Sequence, residues 1–137
     1  MKVKEIMTRL VTVLPPDARL SEVALTMRDQ DIGAIPIADH DRLVGMVTDR
    51  DLVVRAVADG VDTRNLTARD VMSRGVCYCF EDQSVAEVLH KMGGSQVRRL
   101  PVLDARRKLV GVVSLGDVSM TREARAGEAL REISRPH

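Results

Sequence analysis

Two short segments of the sequence place a hydroxyl and a carboxylate three residues apart, each directly after an apolar run. The first pairs Thr48 with Asp51, and the second pairs Ser114 with Asp117. If a helix begins there, these residues form an ordinary cap for free backbone amides and the helix dipole. The same arrangement suits a nucleotide, because the amides and the dipole attract phosphate and the carboxylate accepts both hydroxyls of a ribose diol. Both interpretations stay open for each segment alone.

Catalytic and metal chemistry have little support in the sequence. The histidines His40, His90 and His137 are scattered, so neither a nucleophile with its base nor a metal-ligand spacing emerges. Cys77 and Cys79 would point to the same face of a strand, where a mutual disulfide is unfavourable, and we interpret them as reduced thiols. Neither a P-loop nor a GxGxxG sequence is present. We therefore expect a protein that is not an enzyme, needs no cofactor and holds no metal.

Composition excludes several classes of partner. The 137 residues carry 21 Lys and Arg against 20 Asp and Glu, a formal charge of +1, so no global field attracts nucleic acid or a membrane. Tyr78 and Phe80 are the only aromatic residues, too few for base-stacking platforms. No apolar run reaches the roughly 20 residues of a membrane span, and Met1–Leu10 is charged where a signal peptide would be apolar. We expect a cytoplasmic location.

The two hydroxyl–carboxylate segments belong to an internal repeat. Moving along the chain by 65 residues aligns Lys4–Arg9 with Arg69–Arg74, and Ile35–Ile37 with Leu100–Val102. The second copy then has one extra residue within 104–108, a position typical of a hairpin turn. After it, Leu43–Leu52 aligns with Leu109–Val118. The chain therefore contains two copies of one sequence unit.

Each copy predicts the order strand, helix, strand, strand, helix. The strands are predicted at Leu10–Leu14, Ala34–Ala38 and Leu43–Thr48, and again at Val76–Phe80, Leu100–Leu103 and Leu109–Ser114. The helix after Thr48 should run from about Asp49 to Asp59 and end at Gly60, a residue suited to a left-handed cap. Further capping boxes are expected at Ser84 with Glu87 and at Thr67 with Asp70.

These elements predict an α+β fold of two repeats. The first repeat spans residues 1–60 and the second residues 67–120, with a linker at 61–66 and a C-terminal helix or tail at 121–137. A repeat of about 60 residues buries little surface alone, so we expect the two to pack with pseudo-two-fold symmetry.

The doubled pattern resembles a tandem pair of CBS domains, the Bateman module named after cystathionine β-synthase. The resemblance covers about residues 1–120 and rests on Met-Thr or Met-Ser, apolar-Pro-apolar, and Leu-Val-Gly-apolar-Val-Thr/Ser-x-x-Asp in both copies. Three segments are most similar to the small bacterial proteins of the hypoxic-response-protein-like group: Asp31–Ile37, Thr48–Asp51 and Gln96–Val102.

This resemblance implies two clefts between the repeats that take adenosine-containing ligands, and modules that pair into flat homodimers. AMP, ADP and ATP are the first candidates, with NAD and S-adenosylmethionine as further ones. Thr48 and Ser114 would bind ribose or phosphate, and Asp51 and Asp117 the ribose diol. The adenine slots would be formed near six residues: Thr12, Val13, Ile35, Cys77, Tyr78 and Leu100.

Three arginines are candidates for binding phosphate. Arg98 and Arg99 precede the second apolar-Pro-apolar motif, whereas the first copy has Gly33 and Ala34 there, which predicts unequal sites. Arg50 is the third candidate. For each arginine, an exposed charge without a ligand is the alternative.

The leading hypothesis is a non-catalytic sensor that binds an adenosine-containing ligand and signals to an unknown effector protein or through self-assembly. The alternative is an adaptor that keeps the fold, mediates protein–protein interaction and binds no small molecule, with Asp51 and Asp117 acting only as caps.

Overall fold

Two antiparallel hairpins lead into the helices that begin at the hydroxyl–carboxylate segments. The computed structural model describes residues 1–9, 12–95 and 97–121, so the predicted C-terminal helix or tail lies outside the described residues beyond Thr121. In chain order the strands are β1 (Thr8–Arg9), β2 (Ala34–Asp39), β3 (Arg42–Thr48), β4 (Cys79–Phe80), β5 (Arg99–Leu103) and β6 (Leu109–Ser114). The α-helices are α1 (Leu20–Gln30), α2 (Asp49–Leu52), α3 (Ala68–Val71), α4 (Val85–Ser95) and α5 (Leu115–Ser119). Short 3-10 helices span Val3–Glu5 and Thr63–Asn65, and a π-helix spans Val53–Val57. The α+β fold class is confirmed.

The chain divides into two compact units that are offset from the sequence repeats. The first-repeat unit is residues 12–76, and the second-repeat unit is residues 77–137 together with residues 1–11. Each unit therefore contains the helix, hairpin and following helix of one repeat. It also contains the short segment that comes before the corresponding helix of the other repeat in the sequence. The repeat boundaries drawn from the sequence stay a prediction.

In the first-repeat unit, α1 packs on the hairpin of β2 and β3. Ile35 opposes Val47 in this hairpin, and both are fully buried. Val23 and Met27 lie on the buried face of α1, as their spacing predicts. His40 and Asp41 both have positive φ values, 49° and 68°, as a tight two-residue hairpin turn requires.

In the second-repeat unit, a four-stranded sheet has the order β1-β6-β5-β4. The β5–β6 and β1–β6 pairs are antiparallel, whereas β4 and β5 are parallel. Its core is aliphatic, with Val88 and Met92 of α4 packing with Leu100, Val102 and Val113 of the sheet. The extra residue of this repeat lies in the turn 104–108, as predicted, where Arg107 has a φ of 65°.

Two glycines allow the Met-Thr and Met-Ser segments to lie against the strands that lead to the candidate site. A Cβ at Gly111 would lie 2.7 Å from the carbonyl oxygen of Thr8, the residue that begins β1. A Cβ at Gly45 would lie 2.5 Å from Sδ of Met72, which precedes the residue bridged to Met46. The same close approach therefore occurs once in each unit and explains why the N-terminal segment belongs with the second repeat.

The hairpins, α1 and α4 confirm the sequence predictions, but Thr12, Val13 and residues 76–78 of the predicted first strands are not in strands. Leu10 and Val11, which begin the first of these predicted strands, lie outside the described residues. Leu14 makes an isolated bridge to Ile37, and the second copy has only the two residues of β4. The helix after Thr48 is α-helical to Leu52 and then π-helical. Gly60 follows with a φ of 65°, the left-handed conformation expected at this helix end.

Candidate functional site

The first hydroxyl–carboxylate segment lies where β3 passes into α2. Thr48 is extended, and its Oγ1 accepts a hydrogen bond from the amide of Asp51 at 3.1 Å. In return, Oδ2 of the Asp51 carboxylate accepts a hydrogen bond from the amide of Thr48 at 2.9 Å. The carbonyl of Gly33 accepts from the amide of Asp49 at 3.0 Å. These contacts fix the carboxylate beside the end of β3.

The second segment repeats this geometry where β6 passes into α5. Ser114 Oγ accepts from the amide of Asp117 at 3.0 Å, and Asp117 Oδ2 accepts from the amide of Ser114 at 2.8 Å. The carbonyl of Arg98 accepts from the amide of Leu115 at 2.7 Å, as Gly33 does in the other unit. The four predicted residues therefore form two equivalent hydroxyl–carboxylate elements, which we call the Thr48 element and the Ser114 element.

Capping of this kind is not confined to these two places. The amide of Thr67 donates to Asp70 at 2.8 Å, and the amide of Glu87 donates to Ser84 Oγ at 3.1 Å, so both further predicted caps are confirmed. Hydrogen bonds from Gln83 and Ser84 hold the pKa of Glu87 below its ordinary value. A cap alone is therefore no sign of a ligand.

The two elements differ at the second carboxylate oxygen. Asp51 Oδ1 lies 3.7 Å from Nε of Arg55, one helical turn further on. The aligned residue of the second repeat is Thr121, whose hydroxyl donates to the carbonyl of Val118 at 2.7 Å. Among the residues that the structure describes, Oδ1 of Asp117 has no side-chain partner. Sequence reasoning missed Arg55, although its spacing of four from Asp51 was the available signal.

The first-turn amides are largely used by the protein itself. The amide of Arg50 donates to Asp49 Oδ1 at 2.8 Å, so all three leading amides of α2 have acceptors. These contacts favour the capping interpretation of the α2 amides, and phosphate binding at this helix stays a prediction. The arginine side chains are the remaining phosphate candidates: Arg50, Arg98 and Arg99 are exposed and form no ion pair within the described ranges.

The residues predicted to form the adenine slots fall into two groups. Thr12 and Tyr78 are half-buried, and Val13 and Cys77 are exposed, so these four have surface that a ligand can contact. Ile35 and Leu100 are fully buried in the cores of their units. The prediction that Ile35 and Leu100 line the slots is corrected: they have no exposed surface, because their side chains fill the interior on which β2 and β5 pack.

Tyr78 is the centre of a cluster that the sequence did not predict. Its ring meets the Phe80 ring edge-on at 5.6 Å between centroids, and Lys91 Nζ lies 5.2 Å from the Tyr78 centroid. The Arg107 guanidinium lies over both rings and donates to the Tyr78 hydroxyl at 3.3 Å. Tyr78 and Arg107 are distant in sequence, and no local pattern connects them. These contacts fix the orientation of the Tyr78 ring.

The two cysteines have different environments. Cys79 is buried, and loss of hydration raises the pKa of its thiol to about 11, although the positive charge of Lys91 acts in the opposite direction. Cys77 is exposed. Within the residues described, no group of three or more His, Cys, Asp or Glu side chains is arranged to hold a metal ion.

Comparison with known proteins identifies the doubled fold. The CBS domain family matches residues 3–57 and 68–123, which include both hydroxyl–carboxylate elements. The chain is a tandem pair of CBS domains. In this CBS pair, no helix among the described residues is long and apolar enough to cross a membrane.

Relatives place the CBS pair in the predicted group. It is 42% identical over 138 residues to the uncharacterized protein YlbB of Bacillus subtilis, covering 97% of this chain and 91% of YlbB. It is 40% identical over 117 residues to Hypoxic response protein 1 of Mycobacterium tuberculosis, covering 85% of this chain and 81% of the relative. The resemblance to the hypoxic-response-protein-like group is confirmed.

Solved structures share the fold. The structure of Hypoxic Response Protein I with two coordinated zinc ions matches with a TM-score of 0.78 and 38% identity, covering 87% of this chain and 97% of that one. The CBS domain pair of protein MJ0100, solved with 5′-methylthioadenosine and S-adenosyl-L-methionine, matches with a TM-score of 0.74 and 30% identity. That match covers 87% of this chain and 93% of the MJ0100 chain.

Proposed function

We propose that this CBS pair is a non-catalytic regulatory module that binds adenosine-containing ligands through the Thr48 and Ser114 elements. The observation that carries the proposal is the second carboxylate oxygen: capping uses Oδ2 of Asp51 and Asp117 and does not use Oδ1 of either residue. The MJ0100 pair, at 30% identity, was solved with two adenosyl compounds. AMP, ADP and ATP are the leading ligands, with NAD and S-adenosylmethionine as further candidates.

The chemistry of each element suits a ribose. The hydroxyl oxygen of Thr48 or Ser114 accepts from the helix, so its own proton is available to a ligand oxygen. The aspartate oxygen Oδ1 can accept from the 2′ and 3′ hydroxyls, and hydrogen bonds to a charged group contribute about 1.5–3 kcal/mol. A ligand without the 2′ hydroxyl should therefore bind more weakly.

The surrounding residues supply the rest of the proposed contacts. Arg50, Arg98 and Arg99 would bind phosphate, because each guanidinium is exposed and free of ion pairs among the described residues. Adenine would contact the accessible surface near four residues: Thr12, Val13, Cys77 and Tyr78. Since only the second repeat offers the Arg98–Arg99 pair, phosphorylated ligands should distinguish the two elements.

The adaptor function remains the second candidate, and one observation favours it. Thr67 and Asp70 form the same kind of cap in a segment that we do not assign to a ligand. Asp70→Asn is for this reason a matched control for Asp51→Asn and Asp117→Asn. Each asparagine keeps an oxygen that can accept the cap hydrogen bond but removes the charge that a diol prefers.

Isothermal titration calorimetry with AMP, 2′-deoxy-AMP and S-adenosylmethionine tests the two candidates. Under the sensor proposal the wild type binds AMP at least tenfold more tightly than 2′-deoxy-AMP. The Asp51→Asn and Asp117→Asn variants each lose one binding event, and Asp70→Asn loses none. Absence of heat with these ligands and with ATP, ADP and NAD would reject the sensor and favour the adaptor.

We also propose that the module is a homodimer that transmits ligand binding to an effector protein. Three helical valines after α2 are exposed by 47–66%: Val53, Val54 and Val57. Such clustered apolar surface marks an interface, and we assign it to a second copy. An antiparallel pair of these helices, centred near Val54, would place the exposed valines of one copy against those of the other.

Light scattering after gel filtration tests the homodimer. Val57→Glu should convert the dimer to a monomer, because it places two carboxylates in the apolar contact. Leu25→Glu is the control, since Leu25 is 46% exposed on α1 and outside the valine face. A monomeric wild type, or a dimer unaffected by Val57→Glu, would reject this assignment.

A further inference from the structure

We infer that Arg55 makes the two ligand elements unequal, because it competes with the ribose diol for Asp51, whereas the aligned residue next to Asp117 is Thr121 and Asp117 has no ion pair among the described residues. This inference rests on the proposed function and deepens it. It assigns the tighter binding of an uncharged adenosyl ligand to the Ser114 element. Arg55 is in this sense a residue that determines affinity without being required for binding.

The position of Arg55 is well defined. Its Nε lies 3.7 Å from Asp51 Oδ1, the oxygen that capping leaves available. The same guanidinium donates to the carbonyl of Met72 at 3.2 Å and to that of Val71 at 3.5 Å. These carbonyls belong to the last residue of α3 and to the residue after it, and they hold the guanidinium in place. Arg55 is therefore held beside Asp51 and is not a free surface charge.

Partial burial strengthens the competition. The Asp51 side chain is 14% exposed, whereas the Arg55 side chain is 49% exposed. A carboxylate with little water around it gains more from a nearby cation than an exposed one does. A diol that approaches Oδ1 must share the oxygen with the guanidinium or displace it.

The second repeat provides an internal comparison. Thr121 aligns with Arg55 and donates its hydroxyl to Val118, within its own helix turn. Asp117 makes the same capping contacts as Asp51, with Oδ2 at 2.8 Å from the amide of Ser114. The two elements thus share the diol-binding geometry and differ in the charge next to it.

The test uses 5′-methylthioadenosine, since this ligand has the diol and no phosphate. A phosphate would be attracted by Arg55 and would mask the competition. Asp117→Asn isolates the Thr48 element, and Asp51→Asn isolates the Ser114 element. In calorimetry at low salt, we expect the Thr48 element to bind about threefold to fivefold more weakly, the upper part of the range for exposed ion pairs, because Asp51 is mostly buried.

Replacing Arg55 in the Asp117→Asn background should remove this difference. Arg55→Thr introduces the residue of the second repeat, and Arg55→Gln keeps a donor for the Val71 and Met72 carbonyls if the threonine variant unfolds. Both should tighten binding threefold to fivefold. Arg42→Thr removes the same charge at the opposite end of β3 and should leave the affinity unchanged.

The salt dependence of ligand affinity distinguishes charge competition from a structural role of Arg55, because a structural role would not depend on salt in this way. Raising NaCl from 0.05 to 0.5 M screens the partly exposed pair, so the difference between the two elements should shrink. Equal affinities of the two isolated elements, or binding that Arg55→Thr and Arg55→Gln fail to tighten, would overturn the inference and leave the proposed function intact. A wild type that binds none of the adenosyl ligands would reject the proposed function, and the inference with it.

Discussion

Gly111→Ala should destabilise this CBS pair although it adds a single methyl group. The new Cβ would lie 2.7 Å from the carbonyl oxygen of Thr8 and 2.9 Å from Sδ of Met7. Real Cβ atoms essentially never approach a backbone oxygen so closely, so β1 must move away from β6. Overpacking of this kind costs about 1–3 kcal/mol. Because the atom in the way is a backbone oxygen, which cannot rotate aside, the loss of folding free energy should be about 3 kcal/mol.

Differential scanning calorimetry measures this cost as a shift in Tm. For a chain of this length about 1 kcal/mol corresponds to roughly 3–4 °C, so Gly111→Ala should lower Tm by about 9–12 °C. Gly94→Ala is the matched control, because it lies in α4 with nothing within 4 Å of its Cβ. Alanine there should raise stability by about 0.5–1 kcal/mol.

Gly45→Ala provides a comparison, because the atom nearest to its Cβ belongs to a side chain, whereas the atom nearest to the Cβ at Gly111 belongs to the backbone. Its Cβ would meet Sδ of Met72 at 2.5 Å and the carbonyl oxygen of Ser73 at 3.0 Å. In a double-mutant cycle, Met72→Ala should recover part of the cost of Gly45→Ala, whereas Met7→Ala should recover little of the cost of Gly111→Ala. If Gly111→Ala is as stable as Gly94→Ala, the close approach of β1 to β6 is not a constraint and our reasoning is refuted.

Three other perturbations follow from local contacts. At pH 8, Cys77 should react with a thiol reagent much faster than Cys79, whose raised pKa of about 11 keeps it protonated; equal rates in mass spectrometry would contradict this. Glu87 has a lowered pKa in the folded state, so its stabilisation is present above the ordinary value of 4.5 and is lost as pH falls through the folded value; Glu87→Gln should flatten acid unfolding curves below pH 4.5. Asp104→Ala should cost about 1–2 kcal/mol in urea unfolding, since Asp104 Oδ1 accepts the amides of Arg106 and Lys108 at 2.8 and 2.9 Å.

The sequence predicted those features that depend on neighbours along the chain. Alternating apolar residues and turn residues located both hairpins, because strand faces and turn conformations depend on a few adjacent residues. The caps at Thr48, Ser114, Thr67 and Ser84 were predicted for the same reason, since each joins positions three residues apart.

Features that join distant residues were predicted poorly. The repeat alignment does not reveal that the N-terminal strand β1 pairs with β6 of the second repeat. The available signal was the glycine of each Leu-Val-Gly motif, because a glycine allows another segment to approach closely. The sequence alone does not say which segment approaches it. The Tyr78–Arg107 contact carried no signal, because it depends on the turn that gives Arg107 its positive φ. Burial of Ile35 and Leu100 follows from which strand face meets the core, and their motif position alone did not decide it.

Internal repetition is most informative where the copies disagree. Both copies keep the cap and the carboxylate, so these features alone cannot separate a structural role from ligand binding. The copies differ in Arg55 against Thr121 and in Arg98–Arg99 against Gly33–Ala34. Under the proposed function, the first difference lowers the availability of Asp51 for a diol, and the second adds positive charge for phosphate beside the Ser114 element. For an adenosyl ligand without phosphate the first difference acts alone, so a single bound 5′-methylthioadenosine should occupy the Ser114 element first.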